Sequence, residues 1–62
     1  GGVSRRHCKI HQEDGKYFVE DLGSANGTFL NDERLTPYLP HLLEHGDELQ
    51  LGRVRLRIVI RE

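Results

Sequence analysis

Hydrophobic and polar residues alternate along most of this chain, and a period of two is the mark of strands with one buried face. The clearest run is Val54-Arg55-Leu56-Arg57-Ile58-Val59-Ile60-Arg61, with Val54, Leu56, Ile58 and Ile60 on one face and Arg55, Arg57 and Arg61 on the other. Glu48-Leu49-Gln50-Leu51 alternates in the same way, and so does His7-Cys8-Lys9-Ile10-His11, which places Cys8 and Ile10 together. Tyr17 to Leu22 predicts a strand with Tyr17 and Val19 on one face and Phe18 on the other, and Thr28-Phe29-Leu30 predicts a shorter one. Turn signals separate these runs: Asp14-Gly15, Asn31-Asp32-Glu33, Gly46-Asp47 and Gly52-Arg53. After Arg34-Leu35-Thr36, a short extended piece, Pro37 to His45 is expected to be irregular, because Pro37 and Pro40 exclude a helix across it. Leu42 and Leu43 are expected to tuck into the core. Strands about every 8–12 residues with turns between them indicate an antiparallel β-sandwich or barrel.

One connection is richer than a turn needs to be. Between Tyr17-Phe18-Val19-Glu20 and Thr28-Phe29-Leu30 lies Asp21-Leu22-Gly23-Ser24-Ala25-Asn26-Gly27. Asn26-Gly27 favours a reversal, since both residues enter the left-handed region at little steric cost. The Gly23–Asn26 segment presents backbone N–H groups, a hydroxyl and a primary amide with no large side chain over them. Such a loop on a rigid support is where binding residues usually sit; the plain alternative is a well-made turn.

Composition narrows the function classes. The 62 residues are 35% hydrophobic, so one domain spanning 1–62 is the most they can build, and a chain this short is marginal in stability. The net charge is -1, from nine Lys plus Arg against ten Asp plus Glu, which argues against an electrostatic nucleic-acid binder. No apolar run approaches the roughly 18 residues of a membrane span, and no membrane partner is expected. The lone Cys8 can form no internal disulfide, which fits a reducing cytoplasmic or nuclear setting.

The chemistry-bearing residues point to binding without catalysis. His7 and His11 lie in alternating sequence, where four residues span about 13 Å, too far to share one ion. His41 and His45 bracket a segment after Pro40 that could form one turn, yet exposed or hydrogen-bonded histidines are the default reading there. Gly23-Ser24-Ala25-Asn26-Gly27 is not the nucleophile elbow of a hydrolase, and Cys8 on an apolar face reads as a small core residue. No catalytic group, metal or other cofactor is expected. What remains is anion recognition. Val3-Ser4-Arg5-Arg6-His7 combines a hydroxyl, two guanidiniums and an imidazole, and Arg5 has the planar fork suited to phosphate. If the two loops lie side by side, Ser4, Arg5 and the Ser24–Asn26 loop make a shallow, donor-rich site that binds phosphate and does not cleave it; the plain alternative is that Ser4 and Arg5 merely solvate a strand start.

Three blocks together, Val3–His7, Asp21–Asn31 and Leu43-Glu44-His45-Gly46-Asp47-Glu48-Leu49-Gln50-Leu51-Gly52, closely resemble a forkhead-associated (FHA) domain, in order and in spacing. The resemblance implies a β-sandwich that binds phosphothreonine peptides through loops at one end. It implies that Ser4 hydrogen-bonds the phosphate, that Arg5 adds charge to it, and that Ser24, Ala25 and Asn26 form the second contact loop, with Asn26 holding the peptide backbone. His7 would brace the loop that carries Ser4, while Gly27 and Asn31 would shape the second loop. The family's pattern also begins upstream, with a Gly-Arg pair and early strands that these residues lack, so the sandwich is expected to be incomplete at its N-terminus. Many members have Thr or Ser where this chain has Ala25, which here offers no hydroxyl.

The expectation is therefore a phosphothreonine-peptide-binding module, a non-catalytic adaptor in Ser/Thr kinase signalling whose partner is a phosphothreonine-containing protein. The alternative is an incomplete scaffold that assembles with another chain, or with a second copy, by strand exchange. The apolar faces carrying Val54, Leu56, Ile58 and Ile60, and Cys8, Ile10, Tyr17, Val19 and Phe29, need covering by stacked sheets.

Overall fold

Asp14 and Gly15 close the first hairpin with φ of 53° and 77°, the paired left-handed geometry that matches strand twist. The hairpin belongs to a computed structural model that describes residues 7–61. Its arms are β1 (Cys8–Glu13) and β2 (Lys16–Asp21), antiparallel, with Ile10 opposite Val19 and Cys8 opposite Asp21. Further along are β3 (Thr28–Leu30), β4 (Glu33–Arg34), β5 (His41–Leu43), β6 (Glu48–Leu51) and β7 (Val54–Arg57). They form two antiparallel sheets, ordered β1-β2-β5 and β4-β3-β6-β7, and no helix occurs among the described residues. The fold is an all-β sandwich.

The core lies between the sheets. Val19 and Leu43 from one sheet meet Leu49 and Leu51 from the other, together with Leu35 just after β4. Each such side chain, fully buried, stabilises by about 1.5–3 kcal/mol. Cys8, Tyr17, Leu30 and Ile58 pack against this cluster while partly exposed. Burial, and then the negative charge of Asp21, push the Cys8 thiol above its ordinary pKa, which leaves it a small apolar side chain and a poor nucleophile. Phe18 points outward and stacks on His11, ring centroids 5.5 Å apart.

Three expectations about the strands are corrected. Pro37 to His45 is not irregular throughout: His41–Leu43 pairs with Val19–Tyr17 of β2. Three residues are too few to show a period, and Pro40 just before the strand removes no ladder bond. Within it only Leu43 enters the core, at 3% exposure; Leu42 alternates outward at 44%. Next, Asn31 and Asp32 are both left-handed, so the turn takes two residues and the strand resumes at Glu33, one position earlier than expected. Last, the long C-terminal alternation leaves the regular ladder after Arg57. Beyond it the Ile58 N–H donates to Asp47 O (2.7 Å), Ile58 O accepts from Gly46 N–H, and the Ile60 N–H donates to Nδ1 of His45.

The apolar face of β7 is also less covered than its pattern suggests. Val54 and Leu56 lie beside the buried Leu51 and Leu49 yet remain 42% and 46% exposed. β7 is the outer strand of its sheet, and Ile10 on β1, 50% exposed, is in the same position on the other.

Candidate functional site

The chain crosses from one sheet to the other between β2 and β3, and Asp21, the last residue of β2, anchors the crossing. Its carboxylate is 1% exposed and accepts four hydrogen bonds. Oδ1 takes the hydroxyls of Ser24 (2.5 Å) and Thr28 (2.7 Å), and Oδ2 takes the N–H groups of Gly23 and Ser24 at 3.2 Å each. Burial alone would raise the pKa of Asp21, but these donors outweigh it and hold the group below the ordinary aspartate range. A fixed anion at the root thus folds Leu22–Gly27 around itself.

His7 supplies the second anchor. It is 4% exposed, and its Nε2 lies 2.8 Å from Gly27 O, so the ring carries its proton on Nε2 and donates it to that carbonyl. The Leu22 N–H donates to His7 O (3.0 Å), which ties His7 to the loop through the backbone as well. Gly27 is buried with φ of 83°, and a Cβ there would stand 2.7 Å from Nε of Arg34. The Arg34 guanidinium is therefore laid against the loop from the neighbouring strand and brings a positive charge to it.

A third contact comes from the β4–β5 connection. The Tyr38 N–H donates to Asp21 O (2.8 Å), and the Tyr38 hydroxyl donates to Leu22 O (3.2 Å). A Cβ on Gly23 would run into that hydroxyl, so glycine is what lets the ring lie on the loop.

The expected site residues fall into different places. Ala25 and Asn26 are exposed at the tip, and Asn26 has no hydrogen-bond partner among the described residues. Ser24 sits in the loop, but its hydroxyl hydrogen is directed to Asp21, so toward an anion it offers lone pairs and no donor. Asn31 does not shape this loop. It lies at the other end of β3, where it bonds Asp47 Oδ1 and the Glu48 N–H and ties two turns together. Ser4 and Arg5 lie outside the described residues. Among the described residues no group of three or more His, Cys, Asp or Glu could hold a metal ion.

Asp21, Arg34 and Tyr38 were missed as site residues. Asp21 had a local signal, an Asp two residues before Gly and three before Ser, the pattern of a side chain capping its own turn. Arg34 and Tyr38 had none, because tertiary contacts alone bring them to the loop.

Comparison with known proteins agrees with this architecture. A family model described as FHA domain matches residues 1–52. The oxoglutarate dehydrogenase inhibitor of Corynebacterium diphtheriae is 46% identical over 54 residues, covering 87% of this chain and 36% of that protein. Glycogen accumulation regulator GarA of Mycolicibacterium smegmatis is 46% identical over 54 residues, 87% of this chain and 32% of its own length. The probable E3 ubiquitin-protein ligase dma1 of Schizosaccharomyces pombe is 44% identical over 81% of this chain and 20% of its own. The chain thus spans about a third or less of the length of these relatives. With the two-sheet sandwich, the family match over most of its length and these identities, the chain belongs to the FHA-domain family.

Proposed function

We propose that this chain binds phosphothreonine peptides and serves as a non-catalytic adaptor in Ser/Thr kinase signalling, in the cytoplasm or, in a eukaryote, the nucleus. The observation that carries the reading is the β2–β3 loop: held by Asp21 and His7, it presents the Asn26 amide at an exposed tip with no partner among the described residues. In this reading Ser4 and Arg5 supply charge-assisted donors to the phosphate, each worth about 1.5–3 kcal/mol. Asn26 holds the peptide backbone, and Arg34 adds to the local positive potential. In this reading the Asp21 carboxylate and the Ser24 hydroxyl are committed to holding the loop, so the phosphate is bound and kept. Similarity to an oxoglutarate dehydrogenase inhibitor and to a regulator of glycogen accumulation supports a regulatory role.

Calorimetric titration with phosphorylated and unphosphorylated versions of a threonine peptide library tests this. Binding confined to the phosphorylated forms, and weakening with salt, is expected; equal affinity for both forms overturns it.

The exposed inner-face residues Val54, Leu56 and Ile10 favour a second reading, assembly with another chain through open strand edges. Sedimentation of the protein across concentrations tests that, and a strictly monomeric species overturns it.

A further inference from the structure

We infer that the outward face of the β1-β2-β5 sheet is a self-complementary interface, on which a second copy of this chain docks face to face about a two-fold axis. None of its residues belongs to the phosphopeptide site, and it is a sheet face rather than an open strand edge.

The strand register fixes what this face carries. Directly opposite residues of antiparallel neighbours share one face, and Phe18 stands opposite both His11 and Leu42. These three form a row across the middle of the sheet. The His11 ring stacks on Phe18, and Leu42 on the far side is 44% exposed. Two residues away along the strands, one flank of the row carries Lys9 opposite Glu20, and the other carries Glu13 opposite Lys16. Among the described residues, none of these four charges belongs to an ion pair within the chain.

A two-fold axis laid along the His11-Phe18-Leu42 row turns one sheet over onto the other. Each strand then faces its own copy running in the opposite direction, and the two flanks exchange. Lys9 meets Glu13 of the second copy, and Lys16 meets Glu20 of the second copy. Symmetry repeats both, so four opposite-charge pairs border the apolar row. The alternative axis, along β2, sets Lys16 on Lys16 and Glu20 on Glu20. The charges therefore select one arrangement. Packed sheets cross by about 30°, which displaces a residue two positions from the axis by about 3–4 Å, within reach of a lysine or glutamate side chain. Such an isologous contact closes as a dimer and does not propagate. Three strands of up to six residues make a face of roughly 15 by 20 Å, small for a permanent complex, so the dimer is weak and concentration-dependent. Exposed ion pairs add little affinity each and mainly set the register.

The test is sedimentation equilibrium of the full natural chain across the micromolar to millimolar range, for wild type, Lys16→Glu, Glu20→Lys, their double variant and Leu42→Glu. Wild type is expected to show a monomer–dimer equilibrium. Lys16→Glu and Glu20→Lys each turn two symmetric pairs into like-charge contacts, and each should raise the dissociation constant by at least about tenfold. The double variant restores opposite charges across the axis and with them the dimer. An equal mixture of the two single variants does the same, because one copy then offers Glu at both positions and the other Lys at both. Leu42→Glu sets two carboxylates against each other on the axis and should leave only monomer. Melting by circular dichroism is read on every variant, and Leu42→Glu carries the test should a charge reversal unfold, since Leu42 lies outside the core. Wild type that stays monomeric throughout, or a folded mixture that fails to associate, overturns the interface. Association that survives both Lys16→Glu and Leu42→Glu overturns it in favour of the strand edges.

Discussion

Replacing Asp21 should be the most damaging single polar change in the described part of the molecule. Thr28 is 0% exposed and its hydroxyl has Asp21 as its acceptor. Asp21→Ala therefore leaves a buried donor unpaired, a cost of about 1–3 kcal/mol. The Ser24 hydroxyl and the Gly23 and Ser24 N–H groups are only partly buried and regain water, so they add less. Release of the carboxylate from its buried site offsets part of the loss, for a net of about 2–4 kcal/mol. A domain of this size has about 3–9 kcal/mol in total, so Asp21→Ala is close to an unfolding change. Asp21→Asn is the sharper probe. It keeps the shape and one acceptor, but turns an amide NH2 toward the N–H groups that Oδ2 accepts from. We expect it to cost about 1–3 kcal/mol, or roughly 5–20 °C in melting temperature by circular dichroism. Acid should act through the same group. The folded-state pKa of Asp21 lies below its unfolded value. Its stabilisation is therefore full above about pH 4, the unfolded value, and is lost as pH falls through the lower folded one. The stability gap between wild type and Asp21→Asn should accordingly narrow in strong acid. An unchanged melting temperature, or a gap independent of pH, would refute the anchoring role.

Asn26→Ala should lower phosphopeptide affinity by about three- to tenfold, the worth of one neutral hydrogen bond, with melting shifted by less than about 0.5 kcal/mol; titration and melting of the same sample check both. His7→Ala should destabilise by about 1–3 kcal/mol, because it leaves the buried Gly27 carbonyl without its donor, and urea unfolding reads this directly. Gly27→Ala should destabilise by about 1–2 kcal/mol from the left-handed backbone alone, since the Arg34 side chain that a Cβ would meet is flexible enough to swing away. Leu43→Ala should cost about 2–5 kcal/mol, as a fully packed core leucine does, whereas Leu42→Ala, on the outward face, should be nearly silent in the same melt.

Much of this molecule follows from the order of its residues. Local rules specify the strands around Val19, Phe29 and Leu49, the Asp14-Gly15 hairpin and the Gly23–Gly27 loop, because alternation and left-handed tolerance are properties of a few neighbouring residues. Tertiary structure decided the rest. His41–Leu43 became a strand because β2 offered an open edge, and Val54 and Leu56 stayed exposed because β7 ended up outermost in its sheet. The Ser24 hydroxyl turned to Asp21 once a buried carboxylate stood within reach. Arg34 and Tyr38 joined the loop across separations of 7 and 15 residues from Gly27 and Gly23. A sequence pattern states which face of a strand is apolar; which strand lies next to it, and what therefore covers that face, depends on contacts between distant residues that no local period records.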